Sequence, residues 1–373
     1  MMKKSILLII CWIFSVPGSS QQNILDNPEI QQDVEQCLYA TYGCDFGKAL
    51  EMQSKLQAQM PLHPAPSFLE ALIIYWQNFP LLPQDLETKQ FEALMDRSID
   101  LAGKMLEKEP DHLEGIFFDL HARAFKAMFW ADNGKPAKVI FDIDNMYRQT
   151  LVAIELKEKF NEFYFSSGLY NYYIEAYAET HPVYKPIIAL FRDGDKKRGL
   201  KELEFAAENT TYIKYESILF LSLLYLNYEK DMERALDYAA VLYNNFPENI
   251  YYTGQYLILL LYNSNYTIAS VLNEQIDFNK SEFHRLIYLM TQGFLYENQM
   301  KDLKAAEQYY LRAISMAESF GPIANLYASI SMAGLSRIAE QQGDPGNARR
   351  YLRKSRQLSG YEFIREFDSG VSR

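Results

Sequence analysis

Small residues recur along the second half of this 373-residue chain at an almost fixed interval, and that interval constrains the fold more than any other feature. Gly199, Ala235, Ala269, Ala306 and Ala348 follow one another at steps of 36, 34, 37 and 42 residues. Self-similarity at such a period marks units of one helix pair, each too small to bury its apolar face alone. A second spacing coincides with the first. A small residue is followed twelve positions later by proline at Ala49 and Pro61, Ser98 and Pro110, and Ala235 and Pro247. A small side chain lets two helices approach closely, and the proline stops the helix that carries it.

Helix punctuation agrees with that register. Asp195, Asp231, Asp302 and Asp344 each stand just before a small residue, where a carboxylate accepts from the free N–H groups of a first turn. Gly343 suits the end of a preceding helix, and Pro345 the first helical position. The stretch "PDHLE" predicts a capping box of Asp111 and Glu114. "KVIFDI", residues 138–143, is the one β-like run, and its helical surroundings predict helix.

The small-residue position and the proline twelve residues beyond it resemble the second helix of a tetratricopeptide repeat. The resemblance implies an all-α fold of helix-turn-helix units stacked as a right-handed α-solenoid, with first helices lining a concave groove. Its packing residues here are Ala49, Ser98, Gly168, Gly199, Ala235, Ala269, Ala306 and Ala348. The match is good from about 196 to 358 and loose between 112 and 195. The reading is therefore a leader at 1–20, divergent repeats at 21–195, regular repeats at 196–360 and a short tail at 361–373.

One repeat is interrupted. "FYFSSGLYNYYIEAYAETHP", residues 163–182, places Phe165, Leu169, Tyr172, Tyr173 and Ala176 on one helix face, with Gly168 as contact glycine. Its partner landmark, Gly199, lies 31 residues on instead of twelve, so an insertion at about 180–197 separates the two helices. Pro182 and Pro186 prevent one continuous helix through it. The order of glycine-bearing helix, proline loop and "GD...GL..L" also resembles a eukaryotic repeat family of mitochondrial outer membranes, over residues 163–206 only. The aromatic stripe reads as core packing first and as a ligand face second.

The first twenty residues carry Lys3 and Lys4, an apolar stretch from Ile6 to Val16, and small Gly18-Ser19-Ser20, which is the pattern of a cleaved signal peptide. A lipid anchor on Cys11 is the alternative. Export to a bacterial periplasm or cell surface follows, with membership of an envelope complex. Beyond the leader the longest apolar run, "YLILLLY", is seven residues, too few for a membrane span. Losing Lys3 and Lys4 leaves 35 basic side chains against 48 acidic ones, a balance that repels nucleic acid. Cys37 and Cys44 stay in the exported chain, where a disulfide and two free thiols are both open.

Chemistry-bearing motifs are sparse. No pair among His63, His112, His121, His181 and His284 has zinc-helix spacing, and the cluster of His112, Glu114, Asp119 and His121 reads as a solvated helix start. Nucleophile elbow, phosphate loop and dinucleotide fingerprint are absent from the sequence. Asp142 and Asp144 read as surface acids. The expectation is no catalysis and no cofactor or metal, with a protein or peptide partner held in the groove. Candidate groove residues are Tyr164, Tyr170, Asn171, Phe220, Leu224 and Asn227. In the best repeat the positions that a carboxylate clamp of the family uses hold Ser217, Phe220, Leu221 and Leu224, which points to an apolar partner instead. A secreted all-α enzyme or a glycan-binding protein with a Tyr-rich cleft is the alternative.

Overall fold

The computed structural model describes residues 23–180 and 185–358, together with 363, 364 and 367. The predicted leader, Cys11 and His181 lie outside the described residues. Among those described, regular structure is helical throughout, without a strand. The helices come in pairs: α1 (Pro28–Tyr42) with α2 (Phe46–Gln59), α3 (Pro64–Gln77) with α4 (Leu86–Lys108), and α5 (Leu113–Asp132) with α6 (Ile143–Leu156). Next, α7 (Phe163–Thr180) pairs with α9 (Lys196–Asn209) across the short α8 (Lys185–Ile188). Four pairs follow: α10 (Lys214–Leu224) with α11 (Met232–Asn245), α12 (Ile250–Tyr262) with α13 (Tyr266–Gln275), α14 (Glu282–Asn298) with α15 (Leu303–Ala317), and α16 (Asn325–Gln341) with α17 (Pro345–Leu358). Each pair also packs on the next.

The two helices of a pair differ in burial. α12 buries eleven of its thirteen residues, whereas α11 buries only Ala235, Ala239 and Leu242 of fourteen. The first is therefore surrounded by neighbours, and the second presents one stripe inward and a wet face outward. This follows from their sequences, since "IYYTGQYLILLLY" is apolar nearly all round and "MERALDYAAVLYNN" is not. No helix among the described residues is long and apolar enough to cross a membrane.

The predicted caps form at the expected residues. Asp195, Asp231, Asp302 and Asp344 accept from the N–H groups of Arg198, Arg234, Ala305 and Asn347 at 2.9–3.0 Å. Pro61, Pro110 and Pro247 each lie just past a helix end, and Ala49, Ser98 and Ala235 are fully buried. A recurrent bond explains why that position is small. The Cys37 thiol and the Ser222 and Ser336 hydroxyls, on first helices, donate to the carbonyls of Ala49, Ala235 and Ala348 at 3.4, 2.9 and 2.8 Å. A larger side chain would hold the helices too far apart for these bonds.

One expectation needs correction, and one open alternative is decided. The capping box at Asp111 does not form: His112 caps α5 through its Nδ1, which accepts from Gly115 N–H at 3.2 Å. Glu114 instead turns inward, where its carboxylate accepts from Leu25 N–H at 2.7 Å and meets His63 Nε2 at 2.6 Å. The disulfide does not form either, and both thiols are free. Cys37 is committed to the Ala49 carbonyl, and Cys44 sits beyond the helix end at φ 60. Burial raises the two thiols to about 12 and about 11, which keeps them protonated. The β-like run is helical as expected, its residues up to Asp142 in a 3-10 helix over Pro136–Asp142 and Ile143 at the start of α6.

The chain also closes on itself. Asn249 of the α12 cap donates to Tyr42 O at 3.0 Å, and the Tyr42 hydroxyl donates to Glu216 of α10. Rings continue that seam: Tyr39 and Tyr42 meet Phe246, Trp76 meets Tyr252, and Phe79 meets Phe283, with centroids 5.0–5.9 Å apart. The space enclosed by the first helices is thereby walled by aromatic rings, at separations where edge-to-face packing adds to burial. Of the tail, Phe363 and Phe367 lie against Tyr262 at 4.8 and 4.9 Å.

Candidate functional site

The largely closed centre leaves a recess of about 160 Å³. Its walls come from first helices: Tyr75 and Trp76 of α3, Phe125 and Met128 of α5, Phe165 and Leu169 of α7, Leu219 and Phe220 of α10, and Tyr251 and Tyr252 of α12. A wider opening of about 360 Å³ adjoins it, sharing Phe79, Asp132, Tyr251 and Ile323. The volumes suit side chains of a ligand rather than a whole drug-sized molecule.

Polar groups in the recess are few, and each has a physical setting. His121 donates from Nδ1 to Phe117 O at 2.8 Å, which leaves Nε2 as a buried acceptor with no partner. Burial lowers this imidazole to about 4, so it is neutral at pH 7. Glu216 accepts from Tyr42 on one carboxylate oxygen, while the other has no hydrogen bond. Desolvation raises it to about 7. Trp76 Nε1 is a buried donor without an acceptor. Asp132 keeps contact with solvent at the mouth, yet it stands between protein walls deep enough that desolvation raises its carboxyl from 3.8 to about 6. Among the described residues no lysine or arginine lines the recess or its adjoining opening.

Of the six candidate groove residues, only Phe220 reaches this space. Leu224 is fully buried in the core. Asn171 donates to Glu202 at 2.9 Å, inside a polar cluster between α7 and α9. Tyr164 packs on Phe205 and donates to Glu158, and Tyr170 donates to the Arg192 carbonyl at 2.5 Å. Asn227 belongs to a single π-helical turn, residues 225–229, and donates to Leu223 O. The structure therefore does not bring the six together. Their periodicity gave the helix, and the face toward the centre is set by packing partners that no local pattern records.

Three of the seven rings at 163–177 are buried, Phe163, Phe165 and Tyr172, and Tyr164 and Tyr173 pack half-buried against the core; Tyr172 donates to Glu229 at 2.5 Å. Phe165 and Leu169 alone of that helix face the recess. The described part of the insertion packs elsewhere. Phe191 and Arg192 lie on Tyr147 and Glu155 of α6.

The remaining chemistry candidates are tied into the fold. Asp119 and Asp142 both pair with Arg123, and Asp144 pairs with Arg148 at 3.0 Å. His63 accepts from Ala65 N–H on Nδ1, so Nε2 carries the proton that faces Glu114. No group of three or more potential metal ligands converges among the described residues. Sequence reasoning missed Asp132 and the ring set of α3 and α12, and its reading of His112, Glu114, Asp119 and His121 as a solvated helix start needs correction, since Glu114, Asp119 and His121 are buried. A signal existed only for Asp132, an acid at the carbonyl end of a helix, where the dipole disfavours it. Compared with known proteins, the chain matches no family model and no curated sequence.

Proposed function

We propose that the chain is an exported tetratricopeptide-like scaffold, its helix pairs stacked as a right-handed solenoid, that holds a protein or peptide segment in the aromatic recess without catalysing a reaction. The observation that carries this reading is the recess itself. Five successive first helices contribute apolar rings to one opening, which is where the concave groove of such a stack would lie. The glycan or enzyme reading has less support, because the lining holds a single tryptophan and few polar side chains.

A displayed peptide library panned against the full chain tests the reading. The expected enrichment is for apolar residues, and Phe220→Ser, with an unchanged melting transition, weakens the enriched peptides at least tenfold. Enriched peptides indifferent to Phe220→Ser would overturn the assignment of the recess. Export is tested separately by sequencing the N-terminus of the protein recovered from the native envelope, which should begin at Gln21.

A further inference from the structure

We propose that the recess takes a basic side chain of its partner, lysine or arginine flanked by apolar residues, with Asp132 as counter-ion and the rings of Tyr75, Phe79 and Tyr251 around the charge. This inference rests on the reading of the recess as a peptide site and adds the chemistry of what enters it.

Four observations converge on Asp132. It lies where the two openings meet and lines both. It has no hydrogen bond or ion pair among the described residues, whereas Glu216, the other acid lining the recess, accepts from Tyr42, and Asp119 and Asp142 share Arg123. Among the described residues no lysine or arginine lines either opening, so no cation of the recess faces this charge. Finally, it is the last residue of α5, ahead of the Asn133 cap, where the free carbonyls already concentrate partial negative charge. A carboxylate in that place is mildly unfavourable, and a cation beside it would offset that cost.

The surroundings suit a cation. Aromatic faces attract ammonium and guanidinium groups, most of all when water is excluded, and the aliphatic stem of lysine or arginine covers apolar surface. Of the three polar atoms in the recess without a hydrogen-bond partner, His121 Nε2 and one Glu216 oxygen are acceptors, and Trp76 Nε1 is a donor. The chain's net charge of -11 further favours the approach of a basic segment.

The test uses the full chain and three synthetic peptides that differ at one central position within a leucine-rich heptapeptide: lysine, acetyl-lysine and norleucine. Calorimetric titration should show the lysine peptide binding at least tenfold more tightly than both neutral ones. Asp132→Asn should erase that difference while leaving the norleucine peptide unchanged, and should raise the melting temperature, since it removes an acid from a helix C-terminus. Equal binding of all three peptides would overturn the cation and leave the apolar reading of the recess intact. Binding of none of them would overturn both. Binding of hexylammonium without any peptide would replace the peptide occupant with a small amine.

Discussion

Two helix pairs solve the same problem, close approach, with different materials. Between α7 and α9 the backbones touch. A β-carbon on Gly199 would stand 2.5 Å from Tyr172 N, and one on Gly168 would stand 2.9 Å from Gly199 O. Among α14, α15 and α16 a ring fills the gap instead. The Tyr310 side chain lies between Gly293 and Gly334, whose β-carbons would meet it at 2.5 and 2.2 Å. Each contact has a buried glutamate beside it. Glu202 receives Lys157, Ser167, Asn171 and Arg198, while Glu297 receives the Tyr310 hydroxyl at 2.7 Å and Arg337 on both oxygens. Glycine in this molecule thus makes room for a backbone in one pair and for a tyrosine in the other, and a buried ion pair fixes the register of each.

The largest difference between the two lies in how many cations serve the acid. Among the described residues Arg337 is the single cation bonded to Glu297, so Arg337→Met leaves a buried carboxylate without that counter-charge, at a cost of about 3–5 kcal/mol. Lys157→Met leaves Glu202 still paired with Arg198 at 2.8 Å, and its cost should be clearly less. Chemical denaturation of both variants measures the gap. Equal losses would mean that the second cation of Glu202, half-exposed as it is, contributes nothing.

The glycines come next. Gly199→Ala drives a methyl group into backbone that no side chain can relieve, so a loss of about 1–3 kcal/mol or more is expected, with no rescue by trimming Leu203. Gly334→Ala meets a ring, and that ring can be removed. Tyr310→Leu in the Gly334→Ala background should recover part of the loss, with a coupling of about 1–2 kcal/mol in the double-mutant cycle. Additive losses in the cycle would show that the helices, rather than the ring, accommodate the methyl group.

This comparison also marks how far the sequence could be read. The pairing of Gly168 with Gly199 across an insertion was legible, because helix period and caps are local and survive the interruption. The Gly334 contact was not, since it depends on Tyr310 from another helix filling a space that only the packed stack defines. The same limit applied to the site. Phe220 could be placed on a first helix from its surroundings, but Asp132, Trp76 and Tyr251 come together only because α1 and α3 close onto α10, α12 and α14, over separations of more than 170 residues at the Tyr42 bonds. Chain closure of that kind leaves no periodic trace. Cys37 shows the converse: its twelve-residue step to Ala49 was in the sequence, and the same step from Ser336 to Ala348 gave the reason for a hydroxyl or thiol there, once the bond was seen.

The smallest expected effect concerns acid, and it separates the two pairs by pH rather than by size. Burial pushes the Glu202 carboxyl up, and the hydrogen bonds from Lys157, Ser167, Asn171 and Arg198 more than offset it, so the group ends below the ordinary carboxylate range. A carboxyl whose folded value is depressed stabilises the fold fully above its unfolded value near 4.5. That contribution is lost as pH falls through the folded value, because the unfolded chain takes up the proton first. Glu202→Gln should therefore be less stable than the parent at pH 7, with the gap narrowing as pH drops below about 4.5. Melting temperatures of both proteins from pH 7 to pH 3 test this. A gap that stays constant over that range would assign the loss at pH 7 to altered hydrogen bonding between α7 and α9, and would remove the charge of Glu202 as the feature that holds their register.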